Sequence, residues 1–390
     1  MPHIVAKSLR EPEFPIKHGD FTFQWIAKPL LGAKSSLVGV SYKDKKFLLE
    51  IKQKDDKYII KVDKTTRPSP TNLIKEALLH FCAMASCEKI ADNLSNLGAT
   101  HAKRGEHALK NIDYFLHSFP DKEVWIEIGF GSGRHLLYQA KTNPDIIFIG
   151  IEIHKPSIEQ VLKQIALQHL SNIYVVDYDA RLFLELTPSN SVGKIFIHFP
   201  VPWDKKPHRR VISEAFIQEA SRVLKPSGVL ELRTDSDNYF RYALDLFLAQ
   251  FAVDLEVTKN IEPPIVSKYE ARWRRLGKDI YDIRMKSLQE SPPITLNFSF
   301  DFKDLSFDGN IIDKITTKAL VFEDYFVHFE KVYKIDDEKF LIKLSFGSFD
   351  RPEHKYIYYT KEAIEYFPKP PVISRANKNA HNKIKELFHG

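Results

Sequence analysis

The sequence predicts an α/β core on a mostly parallel sheet, set between two flanking modules that are mainly β, and three patterns along its 390 residues predict it. In the middle of the chain the short apolar runs VWIEIGF, IIFIGIEI, IYVVDYD, KIFIHFP and GVLELRT alternate with segments of helical spacing, as parallel strands covered on both faces by helices do. Before them, SSLVGVSY, KKFLLEIKQK and KYIIKVDK alternate within residues 18–62 between charged or glycine-containing breaks, which suits a small antiparallel sheet. After them, ITLNFSFDF, ALVFEDYFVHFEKVYKI, KFLIKLSFG and KYIYYT are long, alternating and aromatic, and predict a second antiparallel sheet. Helical spacing marks residues 73–97, 107–116 and 372–388, while 251–285 reads as a further core strand and a charged loop. The expected domains are 1–115, 116–290 and 291–390.

Composition narrows the class. An apolar fraction of 43% is that of a globular protein. A net charge of +6 with a pI near 8.9 permits an anionic partner without demanding one. The two cysteines, Cys82 and Cys87, sit in one predicted helix and read as reduced, buried thiols. No apolar run is long enough to cross a bilayer, the start MPHIVAKSLREPEF lacks a secretory apolar region, and a cytoplasmic monomer is expected, with a homodimer as the alternative. No clustered cysteine and histidine ligands suggest a metal.

The strongest local signal is VWIEIGFGSGRHLLYQA, residues 124–140, a strand that runs through Gly129, Gly131 and Gly133 straight into a helix. Small residues are needed there if a cofactor approaches the backbone. The spacing G-x-G-x-G differs from the G-x-G-x-x-G of dinucleotide folds, and the acidic Glu127 lies just before the first glycine. The next strand ends near Glu152, whose carboxylate can accept both ribose hydroxyls of an adenosine. A third leads to Asp179, with Asp177 two residues earlier; either can face an adenine amine. Three strand-end acids in successive strands resemble the S-adenosylmethionine site of class I methyltransferases. A nicotinamide cofactor fits less well, since no residue set for hydride chemistry accompanies the glycines.

The substrate side reads from the later strands. In IHFPVPWDKKPHRR, residues 197–210, two prolines hold the backbone extended, Trp203 offers a flat face, and Lys205, Lys206, Arg209 and Arg210 follow. Cations beside an aromatic ring suit a phosphate backbone next to an everted base, and also suit a merely solvated surface. The strand GVLELRT ends at Thr234 and Asp235, and a carboxylate there accepts from N1–H and the 2-amino group of guanine; an N-cap is the alternative. In VSKYEARWRRLGKD, Ser267 and Glu270 form a capping box or present a hydroxyl and a carboxylate to substrate, with Lys268 and Tyr269 between them. Arg272, Arg274, Arg275 and Lys278 add a second basic patch.

The ordered set EIGFGSG, GIEI, DA, FPVPW-DKK-HRR, LKPSG-LELRTD and SKYE-R-RLG-D, spanning about residues 124–285, resembles bacterial tRNA (guanine-N7)-methyltransferases. The two outer modules resemble the enlarged form of Helicobacter and its relatives. The resemblance implies a class I, Rossmann-like core with a seven-stranded sheet, S-adenosylmethionine as cofactor, tRNA as partner and guanine 46 of the variable loop as target. It implies cofactor binding by Glu127, Glu152, Asp179 and the three glycines. It implies substrate binding by Lys205, Asp235 and residues 267–270, with Asp235 and Glu270 positioning the reacting base. One departure stands out: where the family has Pro-Asp-Pro-Trp, this chain has Pro200, Val201, Pro202 and Trp203, so an acid between cofactor and base is replaced by Val201. Methylation of another RNA position, or RNA binding without catalysis, are the competing readings, and the outer modules serve RNA contact, stability or the binding of a partner.

Overall fold

A computed structural model describes residues 2–30, 35–69, 71–94, 105–266, 268–294 and 298–389. The chain divides into two compact units, His101–Leu296 on one side and Met1–Thr100 joined with Asn297–Gly390 on the other.

The core unit carries seven principal strands. They are β1 (Val124–Ile128), β2 (Ile147–Glu152), β3 (Ile173–Asp177), β4 (Val192–His198), β5 (Leu224–Thr234), β6 (Val253–Lys259) and β7 (Tyr281–Ser287). Their order is β3-β2-β1-β4-β5-β7-β6; β1 to β5 are parallel, and β7 is antiparallel to both its neighbours. The two-residue strand Leu109–Lys110 adds an eighth beside β3. Helices α1 (Arg134–Thr142), α2 (Lys155–Leu167), α3 (Ala180–Leu186), α4 (Glu214–Val223), α5 (Asp237–Leu248) and α6 (Lys268–Arg275) separate the strands. The valine and isoleucine runs of β1 to β3 are buried because helices cover both faces; Leu136, Phe148, Val161, Ile165 and Val175 meet in one cluster. Ser213 and Ser236 cap α4 and α5 by accepting from the Phe216 and Tyr239 amides. The order reverses between β1 and β4, which is where an open parallel sheet leaves a crevice at the carboxyl ends of its strands.

The two flanking stretches, expected as separate modules, form one twelve-stranded sheet. Strand Phe21–Pro29 pairs antiparallel with Phe326–Asp336 through Tyr333↔Pro29 and Lys334↔Lys28. The buried Tyr356 hydroxyl donates to Asp63 at 3.1 Å, and Trp25 stacks on Tyr358. Helix Thr71–Met84 covers one part of the sheet with Leu73, Ile74, Ala77, Leu78 and Phe81, and helix Arg375–His389 covers another with Ala380, Ile384 and Phe388.

Four local expectations change. The helix expected over 73–97 stops at Met84, because Ser86 turns left-handed (φ 46°) and the Cys87 amide donates back to Cys82 O at 3.0 Å. Lys89–Asp92 then pairs with His3–Ala6 as a strand, while residues 95–97 lie outside the described residues. The stretch 107–116 is broken into a 3-10 turn, the strand Leu109–Lys110 and a helix Ile112–His117 capped by Asn111. Residues 298–302 of ITLNFSFDF form no strand; Phe300 and Phe302 are buried against the terminal helix, so their alternation reflects packing without a ladder. The charged loop in 251–285 contains α6, and one expected strand is two, β6 and β7. Among the described residues no helix is long and apolar enough to cross a membrane.

The terminal helix carries a pH-dependent contact. His381 is buried, its Nδ1 3.1 Å from the Tyr366 hydroxyl and its Nε2 3.1 Å from Asp301 O; burial pulls its pKa down to about 4. A depressed histidine pKa favours folding above the ordinary value and loses that contribution as pH falls toward the folded value. Between pH 7 and 4.5 the chain is expected to lose about 2–3 kcal/mol more stability than His381→Gln, measured by urea unfolding.

Candidate active site at the carboxyl ends of the core strands

The turn after β1 has the conformation its glycines suggest. Gly129, Gly131 and Gly133 have φ of 68°, 50° and 69°. A Cβ built on Gly129 meets nothing within 4 Å, and one on Gly131 meets only Gly129 O at 3.9 Å, so the backbone there borders open space. Gly133 serves packing instead, since its Cβ would lie 2.3 Å from Val161 of α2. This open turn is a cradle that fits S-adenosylmethionine, with backbone amides and a strand-end acid around it. Glu152 closes the turn: its Oε2 accepts from Gly131 N at 3.0 Å, and its Oε1 from Ile153 N at 2.8 Å and His154 N at 3.0 Å. Those amides take three of the roughly four acceptor sites of a carboxylate, so a grip on two ribose hydroxyls displaces one of them.

The other two acids are held differently. Asp179 caps α3 through Arg181 N and receives Arg181 Nε at 3.0 Å and Nη2 at 2.8 Å, while Asp177 is half-buried at the end of β3. Glu127 is buried, its Oε2 2.7 Å from Nδ1 of His135 in the first turn of α1. Nothing in the sequence patterns singled out His135; its place, two residues after the last glycine, was the available signal.

The loop after β4 bends through two aromatic residues in the left-handed region, Phe199 (φ 53°) and Trp203 (φ 46°), a strain of about 1–3 kcal/mol each. Val201 is 60% exposed. Lys205, Lys206 and Arg209 are exposed, with the Arg209 guanidinium 5.1 Å from the centroid of the half-open Trp203 ring. Arg210 turns inward: it is 7% exposed, donates from Nε to Pro202 O at 2.7 Å, lies over Tyr239 and Tyr242, and pairs with Asp204 at 3.4 Å. Asp204 is thereby engaged inside the loop rather than standing in for the acid missing at Val201. Arg210→Ala is expected to destabilise the chain by about 2–3 kcal/mol in chemical denaturation, against about 0.5 kcal/mol for Arg209→Ala.

At the end of β5, Thr234 is buried and its hydroxyl accepts from Ser236 N at 3.2 Å. Asp235 pairs with Lys278 Nζ at 2.5 Å, and that ammonium sits 3.9 Å from the Trp273 ring centroid. Glu270 is 2% exposed; its Oε1 accepts from Arg233 Nη2 and Arg274 Nε, both at 2.8 Å, and both arginines also donate to Ile261 O. Glu270 therefore fastens α6 to β5 and does not stand open to solvent. Ser267 lies outside the described residues, as do the side chains of Lys268 and Tyr269.

Residues 121–283 match the family described as "Putative methyltransferase". Over its whole length the chain is similar to proteins named tRNA (guanine-N(7)-)-methyltransferase. The one from Wolinella succinogenes is 44% identical over 99% of both chains. Those from Helicobacter pylori and Campylobacter jejuni are 42% and 39% identical, over 100% of this chain and 98% of each relative. With identity at that level over nearly the whole length, the chain belongs to the tRNA (guanine-N(7)-)-methyltransferase family.

Proposed function

We propose that this chain transfers the methyl group of S-adenosylmethionine to N7 of a guanine in tRNA, and that the guanine is number 46 of the variable loop. The observation that carries the reading is an open glycine turn, its backbone held by Glu152, at the same strand ends as the cation-bearing loop around Trp203. Bound in the turn, the cofactor supplies an electrophilic methyl group on a sulfonium. Gly129 and Gly131 give it access to the backbone, Glu127 and Glu152 provide negative charge and ribose contacts, and Asp179 or Asp177 accepts from the adenine amine.

On the substrate side Trp203 offers its face to the everted base, and Lys205, Lys206 and Arg209 meet phosphates. Arg210 holds the loop that carries them. Asp235 accepts from N1–H and the 2-amino group of the guanine, on a turn fixed by Thr234, and Glu270 acts as a positioning residue by anchoring the helix that follows Ser267. N7 of guanine has a lone pair and no proton, so no side chain has to act as a base before transfer. The residues' work is alignment and exclusion of water, which is why a valine at position 201 is compatible with activity.

The test is transfer of labelled methyl to an unmodified tRNA transcript and to its guanine-46-to-adenine variant. Label on the first and none on the second is expected. Equal labelling of both would move the target to another position, and no label on either, with the cofactor bound, would favour RNA binding without catalysis.

A further inference from the structure

The core sheet carries two rows of polar side chains where a buried parallel sheet is ordinarily apolar. Strand register sets Glu127 of β1 level with Phe196 of β4, Phe196 level with Glu231 of β5, and Glu231 opposite Arg284 of β7. Two residues further along, on the same face, His198, Arg233 and Asp282 form the second row. His135 enters this face from α1. Its Nδ1 is 2.7 Å from Glu127 Oε2, its Nε2 3.1 Å from the Gln139 amide nitrogen, and its ring 4.8 Å from Phe196 and 4.5 Å from His198, centroid to centroid. His198 Nε2 lies 2.9 Å from Glu231 Oε1, and Arg284 Nε donates to Glu231 Oε2 at 3.1 Å.

This chain of contacts is more than packing. Replacing a buried ion pair by apolar residues of similar volume often costs a protein no stability. A cation in the first turn of α1 is also disfavoured by the helix dipole, so a histidine there needs the carboxylates. Burial lowers the His135 pKa, but the charge and hydrogen bond of Glu127, with the charge of Glu231, outweigh it and leave the ring more basic than usual. Burial likewise raises Glu231, and His198 and Arg284 reverse it to about 2, so Glu231 stays ionised. Neutral His135 is fully satisfied, donating from Nδ1 to Glu127 and accepting at Nε2 from Gln139.

We propose that His135 is a positioning residue for methyl transfer: it holds Glu127 and, by its protonation state, sets how much negative charge that carboxylate presents to the cationic cofactor. The proposal rests on the reading of Glu127 as a cofactor-side acid. Neutral His135 leaves the carboxylate charge whole; protonated His135 offsets it, and affinity for a sulfonium falls. The charged and titratable groups around the ring are Glu127 on β1, His198 on β4, and Glu231 and Arg233 on β5.

The test measures kcat, KM for S-adenosylmethionine and KM for tRNA from pH 6 to 8.5 in the full chain and in His135→Gln, His135→Phe and Glu127→Gln. The unaltered chain is expected to show KM for the cofactor rising by about tenfold toward pH 6, with KM for tRNA nearly constant. His135→Gln keeps a donor to Glu127 without a charge; it should retain the alkaline KM and lose the pH dependence. His135→Phe should raise KM for the cofactor by about tenfold at every pH. Persistence of the pH dependence in His135→Gln, or equal shifts in both KM values, would overturn the proposal. If Glu127→Gln leaves KM for the cofactor unchanged, the reading of Glu127 itself fails; if it raises KM while the histidine variants do not, only the role of His135 fails.

Discussion

Replacing Asp235 with alanine is expected to lower kcat/KM for tRNA by about 100- to 1000-fold and to leave KM for S-adenosylmethionine within about twofold. The carboxylate stands at the end of β5, only 16% exposed, and its partner Lys278 is itself seated on Trp273, so its orientation is set before substrate arrives. Hydrogen bonds to a charged acceptor contribute about 1.5–3 kcal/mol each, and losing two at the lower end of that span accounts for the expected loss. Asp235→Asn should recover little, because an amide sets a donor against one of the guanine's two donors. Lys278→Met, which keeps the carboxylate but loosens its orientation, should cost less than its removal. Initial rates with varied tRNA decide it; an unchanged kcat/KM in Asp235→Ala would remove this residue from guanine recognition.

The second large effect concerns Glu152. Glu152→Ala is expected to raise KM for S-adenosylmethionine by about 100-fold with kcat at saturation within about threefold, because the side chain acts in binding and not in the transfer step. The change has two parts. One is loss of the proposed ribose contact; the other is release of the Gly131, Ile153 and His154 amides that the carboxylate gathers. Glu152→Gln separates them, since a carboxamide oxygen can still accept from the turn while a ribose loses its charged acceptor. An intermediate KM is expected. Isothermal titration of cofactor into both variants provides the check, and wild-type affinity in Glu152→Ala would contradict the assignment.

How much of this was legible in the sequence depended on whether a feature leaves a local mark. The turn at 129–133 did, because three positive-φ positions in five residues require glycine. The strand-end acids were legible as positions but not as contacts: that Asp179 closes on Arg181, or that Glu270 is buried between Arg233 and Arg274, depends on side-chain direction. Among Lys205, Lys206, Arg209 and Arg210 nothing in the spacing distinguishes the one that folds inward; the tyrosines that receive Arg210 come from α5, some thirty residues later. The union of the two flanking stretches was hidden for the same reason, since the pairing of Phe21–Pro29 with Phe326–Asp336 spans most of the chain. The polar rows of Glu127, His198, Glu231 and Arg284 exist only through the register between strands, parallel from β1 to β5 and antiparallel at β7.

The most direct measurement is a single-turnover reaction of the full chain with saturating S-adenosylmethionine and unmodified tRNA, digested to nucleosides and separated by mass. The expected product is 7-methylguanosine alone, formed at a rate nearly independent of pH from 7 to 9, because N7 surrenders no proton and the site needs no base. Methyl on any other atom, or a rate that rises tenfold per pH unit through that range, would contradict the account.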